Sequence, residues 1–233
     1  MIQCRNLSKS FVMHMRGGVA IHAFTDVSFN LREGEFVGVS GPSGTGKSSL
    51  LKCIYRTYLP TSGHVWYTDQ HDEVVDLACA DEQTVMRLRA QEIGYVSQFL
   101  PVIPRVSALD TITNSMTAKG FAREDSEDKA KDLLERLGIP ESLWNMFPST
   151  FSGGEKQRIN IIHAVISQPR VLLLDEPTAS LDARSAQAVI ELVRELKDEG
   201  TAMIGVFHDA ELLKSLSDRV VHMRCPNAVE VVA

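Results

Sequence analysis

The stretch Gly41-Pro42-Ser43-Gly44-Thr45-Gly46-Lys47-Ser48 constrains this chain more than any other. It follows the apolar run Phe36-Val37-Gly38-Val39 and leads into a second at Leu50-Leu51, so it reads as strand, loop, helix. Its glycines let the backbone approach a ligand closely and adopt positive φ values that side chains resist. Amides left free at the start of the helix then face an anion, Lys47 adds a mobile positive charge, and the Ser48 hydroxyl is placed to ligate Mg2+. A polyphosphate is the ligand such a loop fits, and Ser49 continues the same helical turn.

At 233 residues the chain is long enough for one large α/β domain with its own core and an inserted subdomain. It is 44% hydrophobic and 23% charged with a net charge of -6, which fits a globular protein and excludes a broad basic footprint for nucleic acid. An acidic chain that binds an anion must concentrate positive potential locally, at a helix N-terminus plus Lys47. The longest apolar stretches, such as Ile159 to Ile166, are interrupted by Asn160 and His163, and none approaches the ~20 residues of a membrane span. Met1 to Asn6 lacks a basic segment followed by an apolar core, so no signal peptide is expected. Cys4, Cys53, Cys79 and Cys225 are scattered without metal-ligand spacing and read as reduced thiols of a cytosolic protein.

Along the chain, residues 2 to 12 and 24 to 39 carry strand patterns broken at Gly17-Gly18 and at Arg32 to Glu35. Phe11 ends the first piece, where an aromatic could stack on an adenine or simply fill a strand face. Two strands are expected at 63–67 and 73–77, a helix from Asp81 to about Arg89, and a buried strand at 93–97 ending at Gln98, whose neutral amide could reach both metal and water. Residues 99 to 150 change to helical periodicity. Ala130, Leu133, Leu134 and Leu137 recur at one-face spacing, with Ser126 ahead as the expected N-cap and Gly138-Ile139-Pro140 as the stop. A second helix is expected near Ser107 to Lys119. The proline-stiffened segment Phe99 to Arg105 precedes this lobe and is expected to pack on it or to dock a partner.

Ser152-Gly153-Gly154-Glu155 opens the next helix. Ser152 and Glu155 make a capping box, which leaves the adjacent glycines unexplained unless a backbone must be approached closely. Val171-Leu172-Leu173-Leu174 followed by Asp175-Glu176 reads as a buried parallel strand with two carboxylates at its C-terminal end, where open α/β sheets bind ligands. Asp175 would hold Mg2+ through its water shell, and Glu176 would orient or deprotonate an attacking water. Asp182 precedes a helix whose apolar face runs through Ala186, Val189, Ile190, Val193 and Leu196, and it is first of all an N-cap. Ala202 to Phe207 is another buried strand with His208 at its end, and 219–223 is the last strand.

Taken together, these motifs resemble the nucleotide-binding domain of an ABC ATPase over essentially the whole chain. The matching positions are the Walker A loop Gly41 to Ser48, Q-loop Gln98, signature Ser152-Gly153-Gly154, Walker B through Asp175, then Glu176, the D-loop Ser180-Leu181-Asp182, and His208. The resemblance implies an α/β P-loop NTPase with a RecA-like core, an antiparallel β subdomain and an inserted helical subdomain. Its expected parts are 1–98 (core and β subdomain), 99–158 (helical subdomain with the signature) and 159–233 (remainder of the core). It also implies ATP and Mg2+ as cofactors, and Phe11 as the adenine-stacking aromatic. ATP would lie between Walker A of one subunit and the signature of another in a head-to-tail dimer, with Gln98, Glu176 and His208 catalytic and Ser48, Gln98 and Asp175 around the metal. Where the family usually has Leu-Ser-Gly-Gly-Gln, this chain has Phe151-Ser152-Gly153-Gly154-Glu155. That substitution puts a carboxylate near the phosphates.

Within the family, Tyr58-Leu59-Pro60, Val96 to Leu100, Val102 to Arg105, Pro148 to Glu155 and Val206 to Asp209 resemble the L-type subunits of bacterial carbon-phosphorus lyase systems, which degrade phosphonates. This implies a cytoplasmic ATPase subunit associated with the soluble lyase core, dimerising with itself or with a K-type ABC subunit. It also implies no nucleic-acid partner and no membrane insertion. The alternative is the motor subunit of an ABC exporter or lipoprotein-release transporter, which shares every ATP motif. A third is an ATP-gated clamp that barely turns over.

Overall fold

The computed structural model describes residues 1–13, 19–98, 104–224 and 230–231. Most of the segment Phe99 to Arg105, together with Gly17-Gly18 and Cys225, lies outside these residues. In chain order the elements are β1 (Ile2–Met13), β2 (Val19–Leu31), β3 (Phe36–Ser40), α1 (Lys47–Ile54), β4 (Ser62–Thr68), β5 (Val74–Asp76), α2 (Glu82–Gln91) and β6 (Ile93–Val96). They continue with α3 (Ala108–Thr117), α4 (Arg123–Arg136), α5 (Glu141–Trp144), α6 (Gly153–Val165), β7 (Val171–Asp175), α7 (Ala183–Asp198), β8 (Ala202–Val206), α8 (Ala210–Leu216), β9 (Arg219–His222) and β10 (Glu230–Val231).

The strands form two sheets. An antiparallel sheet runs β10-β2-β1-β4-β5, and a parallel sheet runs β6-β7-β8-β3-β9. Every residue of β7 is buried, because both faces of the parallel sheet are covered. The strand's period of two then divides its side chains between two cores. Leu172 and Leu174 join the core beneath α3, α4, α6 and α7, whereas Val171 and Leu173 join the one shared with α1 and the antiparallel sheet. This architecture is the α/β, two-sheet fold with a helical insertion expected from the sequence.

A buried carboxylate helps join the layers. Glu92, only 1% exposed, accepts hydrogen bonds through Oε2 from Tyr67 Oη (2.8 Å), the Gln70 amide (3.0 Å) and Arg170 (3.2 Å). A charge buried that deeply needs such partners. Burial and the adjacent Glu92 push the Tyr67 phenol up, so it remains a donor.

The expected start of α4 needs correction. The helix begins at Arg123 with Ala122 at the N-cap, and Ser126 is a buried residue of the helix interior. Its hydroxyl donates back to Ala122 O at 2.7 Å, the i−4 bond open to a serine inside a helix. Glu124 and Asp125 favour the helix start electrostatically, and Arg123 reaches Asp110 (2.7 Å) and Glu127 (2.8 Å), so the extra turn is held without a side-chain cap. Helix α8 carries no expectation from the sequence pattern. It is short, and its start is fixed by Asp209, which accepts from the Glu211 and Leu212 amides.

Candidate functional site

The parallel sheet aligns four strand ends. Pairing of Val96 with Leu174 and of Asp175 with Val206 puts the residues after β6, β7 and β8 at one edge, and β3 runs into the glycine loop beside them. This is the edge at which parallel α/β sheets bind ligands. Gln98, Asp175, Glu176 and His208 all leave strands here.

In the loop, Gly46 forms the N-cap of α1 with φ of 81°, and a Cβ there would lie 2.3 Å from Ala23 O. No L side chain fits that combination of dihedral and space. Gly44 also has positive φ but faces open space. Thr45 is buried and donates to Pro42 O at 2.9 Å, so its hydroxyl shapes the loop. Ser43 is exposed, and Ser48 and Ser49 are half-buried in the first turn of α1. Helices α2, α3, α6, α7 and α8 have side-chain caps, whereas the start of α1 has neither a side-chain cap nor an acidic residue. Its amides therefore remain available to an anion. Lys47 Nζ is held over the loop by Gly41 O (2.8 Å) and Pro42 O (3.0 Å).

The fold brings Ser48 Oγ to 2.7 Å from Asp175 Oδ1, across 127 residues of sequence. Two hard oxygen donors beside a phosphate loop suit Mg2+, which takes few protein ligands and fills its shell with water and phosphate. No cluster of three His, Cys, Asp or Glu suited to a metal occurs among the described residues. Glu176, half-buried, has φ of 53° although it precedes Pro177, and its amide donates to Val206 O at 3.0 Å. A non-glycine residue in that region costs of order 1–3 kcal/mol and persists where the surroundings impose it. Gln98 and His208 are exposed at the same edge.

Ser152 lies elsewhere, at the start of α6 in the helical layer. The capping box forms as expected. Glu155 Oε2 accepts from the Ser152 amide (2.7 Å) and hydroxyl (2.8 Å), while the Glu155 amide donates to Ser152 Oγ (3.3 Å). The Ser152 amide, followed by its hydroxyl, holds the Glu155 carboxyl below the usual range. The glycines separate. A Cβ on Gly154 would lie 3.1 Å from Ser180 O, so the D-loop of the same chain explains this one, whereas nothing lies within 4 Å of a Cβ on Gly153. Asp182 caps α7, accepting from the Ser185 amide and hydroxyl at 2.9 Å each. Phe11 meets Tyr58 edge-on at 5.3 Å, and the Lys9 ammonium sits 4.8 Å from its ring centroid.

Several contributors were not singled out in the sequence. Tyr95 on β6 donates to Asp175 Oδ2 at 3.1 Å. Asn160 on α6 donates to Ser97 O at 2.7 Å, tying the signature helix to the strand end that carries Gln98. Asn160 and Gln157, both buried polar residues of an otherwise apolar helix face, were the available signal.

The fold and loop define a P-loop NTPase. Residues 24–179 match the model of the ABC transporter family, and the chain belongs to that family as one of its ATP-binding, ATP-hydrolysing subunits. It is 36% identical over 217 residues to the lipoprotein-releasing system ATP-binding protein LolD of Idiomarina loihiensis, covering 93% of this chain and 91% of that protein. It is 31% identical over 229 residues to the ABC transporter ATP-binding protein YknY of Bacillus subtilis, covering 98% and 95%. Two dimeric structures of the ATP-binding cassette MJ0796, one in a post-hydrolysis state with ADP and Pi, superimpose with TM-scores of 0.86 and 0.87 at 28% identity over the full length of both chains. As a member of this family the chain uses ATP with Mg2+.

Proposed function

We propose that this chain is a motor subunit that dimerises on ATP and drives a partner assembly through the resulting closure. The observation that carries this reading is the convergence of Ser48 and Asp175 beneath an uncapped helix N-terminus and Lys47. In this reading the α1 amides and Lys47 bind the β- and γ-phosphates, and Ser48, Asp175 and Gln98 surround the Mg2+, which supplies charge neutralisation when bound. Glu176 orients the attacking water and accepts its proton, while His208 donates to the γ-phosphate. Catalysis is then positioning plus electrostatic stabilisation of phosphoryl transfer to water. Gly153, for which the chain's own packing gives no reason, supports approach of a second subunit's nucleotide to the Ser152 to Gly154 backbone. The cassettes of the same fold are dimeric, one of them with ADP and Pi bound, which supports a dimeric working form.

Two partners are supported by different observations. The LolD and YknY relatives favour a membrane transporter, with the chain on its cytoplasmic side. No helix among the described residues is long and apolar enough to cross a membrane. The stretches Val96 to Leu100 and Pro148 to Glu155 carry the resemblance to carbon-phosphorus lyase subunits, and support a soluble lyase core with a second copy or a K-type ABC subunit across the nucleotide. Affinity purification of the tagged chain from its native host separates them: integral-membrane permeases in the eluate establish the transporter reading, and soluble lyase subunits establish the other. A phosphate-release assay in Mg-ATP tests the motor itself, and absence of turnover in every recovered assembly would leave an ATP-gated clamp.

A further inference from the structure

We propose that Tyr95 is a positioning residue for the cation: its hydroxyl fixes which oxygen of Asp175 is turned toward the Mg2+ site. This rests on the ATPase reading above and goes beyond it, since it gives a role to a residue outside the family motifs in this sequence.

Asp175 is 2% exposed at the end of β7. Each of its oxygens has a donor of its own. Ser48 on α1 donates to Oδ1 at 2.7 Å, and Tyr95 on β6 donates to Oδ2 at 3.1 Å. A buried carboxylate oxygen without a donor is costly, so the hydroxyl on Oδ2 leaves Oδ1, the oxygen beside Ser48, as the one presented to the cation and its water shell. The Tyr95 ring is itself fixed. It lies 4.9 Å from the Tyr55 ring at the end of α1, and Tyr55 is covered by the Arg89 guanidinium at 4.4 Å. Arg89 Nε in turn donates to Tyr55 O at 2.8 Å. Hydrogen bonds from the shell behind a metal ligand hold it in orientation, and losing one costs 10–100-fold in metal affinity or activity as an order of magnitude. A phenylalanine would fill the same space without the donor.

The test is Tyr95→Phe, titrated with a fluorescent ATP analogue in EDTA and at graded Mg2+. The expected result is analogue affinity in EDTA within about twofold of wild type, and a half-saturating Mg2+ concentration raised about tenfold. Mn2+ electron paramagnetic resonance gives a second readout, with the bound fraction falling at fixed Mn2+ and nucleotide. An unchanged Mg2+ requirement overturns the proposal. So does a loss of affinity in EDTA as large as that in Mg2+, which would mark Tyr95 as packing alone. A wild-type chain that binds no nucleotide at any Mg2+ concentration overturns the ATPase reading, and this proposal with it.

Discussion

The glycine loop and the signature are both helix N-termini, yet the chain builds them in opposite ways. Around the loop, polar groups arrive from α1, β6 and β7, and the bonds that join them span up to 127 residues. Around Ser152, the capping bonds close within four consecutive residues. The first is a site assembled by the tertiary fold, with glycines at positive φ and an uncapped helix. The second is a local motif, already satisfied, whose leading glycine has open space where a Cβ would lie. In the proposed reading, the first supplies the phosphate and metal ligands of one subunit, and the second contributes to a site only when another subunit's nucleotide is brought to it.

The largest expected effect tests the assembled half. Glu176→Gln should lower ATP hydrolysis by about 10²–10⁴-fold, the range for loss of a general base, while nucleotide affinity remains. Phosphate release and analogue binding measured on the same preparation check both parts. Lys47→Ala should weaken nucleotide binding about 10–100-fold, since a charged hydrogen bond contributes about 1.5–3 kcal/mol. Analogue affinity equal to wild type would remove Lys47 from the phosphate site.

The signature half is probed by its two glycines. Gly154→Ala meets Ser180 O at 3.1 Å, so the D-loop must give way, at a cost of about 1 kcal/mol and a melting-temperature drop of about 2–4 °C. Gly153→Ala has open space and should leave stability within about 0.5 kcal/mol while reducing the ATP-dependent dimer. A melting temperature lowered equally by both would erase the distinction between them. The smallest effect is at Glu155. Its carboxylate accepts hydrogen bonds from both the amide and the hydroxyl of Ser152. Glu155→Gln is therefore expected to raise hydrolysis by a few-fold, on the order of 1 kcal/mol of relieved competition, read as steady-state phosphate release. Unchanged turnover would leave Glu155 a helix cap only.

Most of the fold was legible because its elements carry strong local signals. Buried strands such as β7 are unbroken apolar runs, and α2, α3, α6 and α7 open on the residues expected to start them. Ser126 misled because capping preference is local, whereas the start of α4 is also set by the Arg123 to Asp110 contact with a neighbouring helix. The same division holds in the site. The loop, the carboxylates at the end of β7 and the capping box are sequence-local and were readable. Tyr95 was not, because its contact is to a neighbouring strand and only the parallel register sets it beside Asp175. The reason for Gly154 was equally hidden, since it depends on where Ser180 passes.

The central claim is that the phosphate site of one subunit is completed by the signature of another. Light scattering of Glu176→Gln in saturating Mg-ATP tests it most directly. The account predicts that the mass doubles from 25.8 kDa when nucleotide is added, and that Gly153→Ala in the same background reduces the doubled fraction. A chain that remains at its monomer mass with its nucleotide site saturated would contradict it.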